Sequence, residues 1–266
     1  MTNKSIVYWL ILILFLISAY IGMTTARQFE ADFLQGSEQP IRVLFIGNSY
    51  TYVNNLPWLI QQLAASVREH RKLETEMVAV GGATLKSHWE RGEALRLLKA
   101  KRWDYVVLQE QSTLPISNPK EMYEYARLFD AQIKRVNSQT LFYLTWAKQN
   151  RPETQQILTN SYTGIARELK AKVAPVGIAW QKIQEANPKL QLYYSDQSHP
   201  SPIGSCVAGC VFYTIFYGKS PVGLSRRLYS SQFNTPEESE TIELESLSEK
   251  DAETIQSWVW YAVNNL

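Results

Sequence analysis

The hydrophobic positions fall into one long run followed by a series of short ones. Residues 6–23 are almost unbroken apolar sequence, preceded by Lys4 and followed by Thr24, Thr25, Ala26 and Arg27. A basic start, a hydrophobic stretch and small residues together mark a segment for export. A run of about 18 residues is long for a cleaved signal peptide and just long enough to span a bilayer. Residues 1–26 are therefore expected to be a membrane anchor or signal peptide, the uncleaved anchor being favoured on length. Residues 27–40 are polar and mixed and read as a linker. The remaining residues, 41–266, are enough for one sizeable domain.

Within that domain, short apolar runs alternate with segments of helical period. Residues 41–47 (IRVLFIG) read as a buried strand ending in glycine. Pro57 opens a helix in which Leu59, Ile60, Leu63, Ala64 and Val67 recur on one face. A second strand is expected from Glu76 to Val80, ending at Gly81-Gly82, and a second helix from Leu85 to Ala100. Strand and helix then alternate again: Asp104 to Leu108, Met122 to Val136, Thr140 to Thr145, Gln155 to Lys170, and a weaker strand from Lys172 to Val176. Apolar strands spaced by helices predict an α/β fold, a parallel sheet with helices on both faces. A further helix starts at Pro202. Residues 234–245 read as an acidic loop, and Ser248 with Asp251 forms a capping box for a last helix bearing Ala252, Ile255, Val259 and Ala262.

Composition changes this picture little. The net charge is +2 with both signs interspersed, and no basic block exists to neutralise phosphates, which argues against a nucleic-acid partner. Cys206 and Cys210 lie four apart on one helical face, a poor geometry for a disulfide, and two cysteines are too few for a structural zinc site. Both are expected to be small core residues.

In an open parallel sheet, reactive groups gather beyond the carboxyl ends of the strands. The segments at those ends are Gly47-Asn48-Ser49, Gly81-Gly82 and Gln109-Glu110-Gln111-Ser112; Asp196-Gln197-Ser198-His199 precedes the helix at Pro202. Together they offer a hydroxyl, an imidazole with a nearby carboxylate, and backbone donors. Ser49 sits between a strand end and a helix start, where free N–H groups favour developing negative charge. His199 has Asp196 three residues before it, placed to orient the imidazole. His70 and His88 are expected at the surface, with His88 a minor alternative as base. Trp146 and Arg151 follow the fourth strand and could line a pocket.

These residues carry a resemblance. FIGNSYT resembles the first block of the SGNH/GDSL hydrolases, with Asn for the Asp of Gly-Asp-Ser; VGGATL resembles the second block and SDQSHPSP the last, Asp-x-x-His block. The blocks occur in the family's order. The resemblance implies a flavodoxin-like three-layer α/β/α sandwich around a five-stranded parallel sheet. It also implies a Ser49–His199–Asp196 triad, with the N–H groups of Ser49 and Gly82 as oxyanion donors. One block departs: the family's Gly-x-Asn is replaced by Gln109-Glu110-Gln111-Ser112, closer to the Gln-Gly-Glu-Ser of sialic-acid and carbohydrate acetylesterase branches. A glutamine amide can supply the missing donor from a longer arm, and both Gln109 and Gln111 are candidates, Gln109 matching that branch.

The expected function is hydrolysis of an ester, an O-acetyl ester on a carbohydrate in particular, through an acyl-enzyme, outside the cytoplasm and without metal or organic cofactor. An O-acyltransferase, a lipid esterase and a catalytically dead surface binding protein are the alternatives.

Overall fold

The computed structural model describes Gly22, residues 39–231 and residues 241–266. The predicted anchor (except Gly22) and nearly all of the predicted linker lie outside these residues. Among the described residues no helix is long and apolar enough to cross a membrane.

Residues 41–266 form one compact unit. Its centre is a five-stranded sheet of β1 (Ile41–Gly47), β2 (Leu73–Ala79), β3 (Tyr105–Leu108), β4 (Gln139–Tyr143) and β5 (Lys172–Ala174). The order is β2-β1-β3-β4-β5, and every pairing is parallel. Side chains of a strand point alternately to opposite faces, and both faces are buried. Val43, Phe45, Val107, Leu141 and Tyr143 join one core cluster, and Leu44, Ile46, Val106, Leu108 and Phe142 the other.

The first cluster is closed by α1 (Leu56–Ser66), α6 (Val176–Ala186), α7 (Pro202–Tyr217) and α8 (Glu249–Asn264). The second is closed by α2 (Leu85–Arg91), α3 (Glu93–Ala100), α4 (Pro119–Arg135) and α5 (Gln155–Leu169). The result is the expected three-layer α/β/α sandwich. Helix α7 is apolar around its whole circumference because it packs between α1 and α8 as well as on the sheet, where Phe212 meets Phe45 edge-on at 5.3 Å.

Three expectations need correction. The helix foreseen from Leu85 to Ala100 is two helices, because Gly92 adopts the left-handed conformation (φ 73°) that ends α2 and starts α3 in a new direction. The segment before α8 is more than a loop: β6 (Arg227–Ser231) and β7 (Thr241–Ser246) pair antiparallel, residues 232–240 lying outside the described set. Helix α6 has no counterpart in the pattern reading, which ran the fifth strand on to Val176. The cysteines behave as expected, both buried and free with their Sγ atoms 3.9 Å apart. Ser248 caps α8 by accepting from the Asp251 N–H at 3.1 Å.

Candidate active site

The strand order reverses between β1 and β3, so a crevice opens beyond their carboxyl ends. From β1 the chain passes through Gly47 to Asn48, whose side chain caps the single helical turn Ser49–Tyr52 by accepting from Tyr50 N–H at 3.2 Å. The Asn48 amide also donates to the Ala83 carbonyl at 3.0 Å, holding the turn after β2 against the turn after β1. Its own N–H donates to Gln109 Oε1 at 2.8 Å. A buried asparagine is thus satisfied by three separate segments and locks them together.

Ser49 is half-buried at the start of the helical turn, and its Oγ lies 2.8 Å from His199 Nε2. The other imidazole nitrogen, Nδ1, is hydrogen-bonded to Asp196 Oδ2. Asp196 Oδ1 accepts from the N–H groups of Ser198 and His199 at 3.0 and 2.9 Å. Partial desolvation opposes the Asp196 charge, but the bonds from His199 and the two amides outweigh it and hold the carboxyl down at about 2. Asp196 is therefore an anion throughout the neutral range, suited to orienting an imidazole.

The loop bearing Asp196 and His199 is fixed from several sides. Tyr50 and Ser198 share a hydrogen bond of 2.7 Å between their hydroxyls, and Trp146 Nε1 donates to the Ser198 carbonyl at 3.0 Å. Gln149 N–H reaches the Gln197 carbonyl at 2.9 Å, and the Ser201 hydroxyl caps α7. Trp146 is fully buried rather than lining the pocket, stacked between Tyr50 at 4.6 Å and Trp180 at 4.0 Å. Arg151 turns away to pair with Glu153 at 2.6 Å.

A cleft of about 390 Å³ opens over Ser49 and His199, lined also by Gly81, Gly82, Gln111, Ser112 and Lys148. Gly82 (φ 69°) holds a left-handed turn conformation that glycine adopts without strain. Of the two glutamines, only Gln111 lines the cleft. Its Oε1 accepts from Thr113 N–H, Thr113 Oγ1 and Leu114 N–H at 2.8 to 2.9 Å, while its Nε2 meets only Ser112 Oγ at 3.4 Å. Gln109 is wholly buried. Its Oε1 accepts from Asn48 N–H and Thr51 Oγ1, and its Nε2 donates to the Glu110 carbonyl. Gln109, the favoured oxyanion donor of the two, does not line the cleft, whereas Gln111 does.

His88 also departs from expectation. It is buried, with Nε2 donating to the Gly47 carbonyl at 2.7 Å, and burial lowers its pKa. It faces the underside of β1 and does not line the cleft around Ser49. Pattern reading overlooked Lys148, although it follows the end of β4, a position that the sheet rule marks; Ser112 it named only as part of its segment. A larger cavity of about 490 Å³, beside β2 and α1, does not include Ser49. Among the described residues no cluster of three or more His, Cys, Asp and Glu side chains is placed to hold a metal.

No family model and no curated protein matches the sequence. Solved structures do. A provisionally assigned SGNH hydrolase from Slackia heliotrinireducens is 26% identical, over 65% of this chain and 97% of that one, with a TM-score of 0.56. The chain belongs to the SGNH/GDSL hydrolase superfamily. Solved structures of this fold include esterases, and the chain is a carboxylic ester hydrolase. A DUF4886-family protein from Bacteroides uniformis is 16% identical over 86% of this chain and 96% of that one, with a TM-score of 0.60. An acetyl xylan esterase from Geobacillus stearothermophilus, 16% identical over 67% of this chain and 95% of that one, has a TM-score of 0.53. At these identities the last two share the SGNH/GDSL fold.

Proposed function

We propose that the chain is a serine esterase that removes O-acetyl groups from a carbohydrate by way of an acyl-enzyme on Ser49. The observation that carries the reading is the chain of contacts from Asp196 through both nitrogens of His199 to Ser49 Oγ. In the first step Ser49 Oγ attacks the ester carbonyl carbon while its proton passes to His199 Nε2. The carbonyl oxygen becomes an oxyanion, met by the N–H groups of Ser49 and Gly82 and by Gln111 Nε2. Collapse breaks the carbon–oxygen bond to the alcohol, which leaves with the proton from His199. Water then attacks the acyl-enzyme, gives its proton to His199, and the acid departs as Ser49 is restored. Asp196 stays ionised throughout and stabilises the transient imidazolium.

A carbohydrate alcohol is supported by the open cleft, by the hydroxyl and amide groups along it, and by exposed Tyr52 at its edge, a surface on which a sugar ring can stack. The fold shared with an acetyl xylan esterase points the same way. We further propose that residues 1–26 hold or export this domain outside the cytoplasm, where acylated polysaccharide is found.

The test is release of 4-nitrophenol from its acetyl ester. Ser49→Ala is expected to lower turnover by about a thousandfold or more and to abolish labelling by a fluorophosphonate probe. Gln111→Ala should cost about a hundredfold in kcat. A Ser49→Ala enzyme keeping more than about a tenth of the activity would refute the assignment.

A further inference from the structure

Lys148 has no place in the chemistry above, yet among the described residues it is the sole lysine or arginine in the cleft wall, and no carboxylate lines that wall. Lys86, Lys101, Lys134, Lys182 and Lys219 each meet a carboxylate. Lys148 meets none among the described residues, and its side chain is exposed. Its mount, in contrast, is fixed. The Lys148 carbonyl accepts from Arg151 N–H at 2.9 Å, and the next residue, Gln149, donates its N–H to the Gln197 carbonyl at 2.9 Å. On the other side, Ala147 N–H donates to Gln155 Oε1 and the Ala147 carbonyl accepts from Tyr193, both at 2.8 Å. The backbone that carries this ammonium is thus fixed in the wall of the Ser49 cleft and tied to the His199 loop.

A positive charge in a cleft wall that has no carboxylate of its own raises the local concentration of anions and stabilises one placed against it. A neutral glycan gains less from such a group than an anion does, because its hydroxyls accept only a neutral-acceptor hydrogen bond from the ammonium. We propose that Lys148 is a specificity residue that receives an anionic group of the substrate. On the esterase reading above, the ester then sits on a glycan carrying a carboxylate or phosphate near the acylated hydroxyl. The ammonium donates a charge-assisted hydrogen bond to that anion, stronger in a half-enclosed cleft than in open water.

The direct test compares 4-acetoxybenzoate with its neutral methyl ester, which carry the same acetyl group on the same ring. In Lys148→Gln the anionic-to-neutral ratio of kcat/KM should fall about tenfold, mainly through KM, and further in Lys148→Glu. The effect should shrink as salt is raised, and both variants should melt near the parent temperature. Acetylated polygalacturonate and an O-acetylated sugar phosphate, each measured against acetylated xylan, separate carboxylate from phosphate as the source of the charge. Calorimetric binding of acetylated polygalacturonate to Ser49→Ala, with and without Lys148→Gln, separates the two ideas. Lys148-dependent binding without any hydrolysis by the parent would sink the esterase reading and keep the anion site. Hydrolysis with both the ratio and the binding indifferent to Lys148 would overturn the anion site and leave the esterase standing.

Discussion

At position 47 a single methyl group would lie 2.5 Å from Gln109 Oε1 and 2.5 Å from Thr51 Oγ1. Both atoms belong to the buried set of hydrogen bonds that holds the turn after β1 against the turn after β3, so neither can retreat without losing a partner. Gly47→Ala is therefore expected to destabilise the domain by about 1–3 kcal/mol, the usual range for overpacking. It should also lower kcat in the fraction that remains folded, because Ser49 rides on the same turn; melting temperature and kcat measured together check this. A variant indistinguishable from the parent would mean that the cluster yields easily. The same cluster explains what sequence could and could not reveal about single residues. Ser49, Asp196 and His199 stand out because their proposed roles require particular residue types in a local context that a motif captures. Gln109 and Gln111 do not separate on paper, since their orientations are set by partners on other segments: Asn48 and Thr51 for one, the start of the next helical turn for the other. His88 likewise looks like a surface residue until the Gly47 carbonyl is seen to accept a hydrogen bond from its imidazole.

Between strands and helices, legibility followed the strength of the repeating pattern. The central strands β1, β3 and β4 were visible as apolar runs because they are buried on both faces, whereas the edge strands β2 and β5 are poorer in apolar residues and left a weaker signal. Helices α1, α4 and α5 were visible through their period. Helix α6 was hidden because its first residues, Val176-Gly177-Ile178-Ala179, continue the apolar run of β5. The β6–β7 pair was hidden because β6 (RLYSS) has little alternation and β7 (TIELES), which does alternate, adjoins an acidic stretch that reads as a loop. Nothing in the local pattern showed how these elements hold the loop of Asp196 and His199, and that is a matter of packing. Trp146, at the end of β4, is sandwiched between Tyr50 and Trp180 of α6, with interplanar angles of 7° and 10°, and donates from Nε1 to the Ser198 carbonyl. Trp146→Phe keeps most of the stack and deletes that donor. We expect kcat to fall about tenfold with KM nearly unchanged, since the loss is of imidazole alignment more than of binding. Steady-state kinetics on 4-nitrophenyl acetate decide it: a fall confined to KM would place the effect in the substrate pocket and refute a positioning role.

Across the whole domain, three acid–base groups on separate segments make stability depend on pH in opposing directions. The net charge of +2 foretells none of this, because each effect comes from burial or partners that exist only when the chain is folded. Glu110 is buried beneath the cleft; desolvation raises its pKa to about 7, against the bonds from Gln111 N–H and Leu85 N–H that favour its charge. Its folded value lies above the ordinary 4.5, so the folded state binds the extra proton between those values, and stability is lost as pH rises through that window. His88 is shifted down by burial, so its contribution is lost as pH falls below its ordinary 6.5. The depressed Asp196 contributes stability above its ordinary 3.8 that is lost as pH falls toward about 2, a small effect because that carboxylate is well exposed. Replacing Glu110 with Gln removes only the first of these. Denaturant unfolding of the parent and of Glu110→Gln from about pH 4.5 to about pH 8 should therefore show the variant gaining on the parent as pH rises. The gain is at most about 3 kcal/mol for a shift of this size. It should level off above the folded value of about 7, where Glu110 is charged in both states. Below about pH 4.5, where Glu110 is protonated in both states, the two proteins should lose stability in parallel. A constant difference across the range would mean that Glu110 titrates normally in the folded chain, its two backbone donors sufficing to keep it charged beneath the cleft.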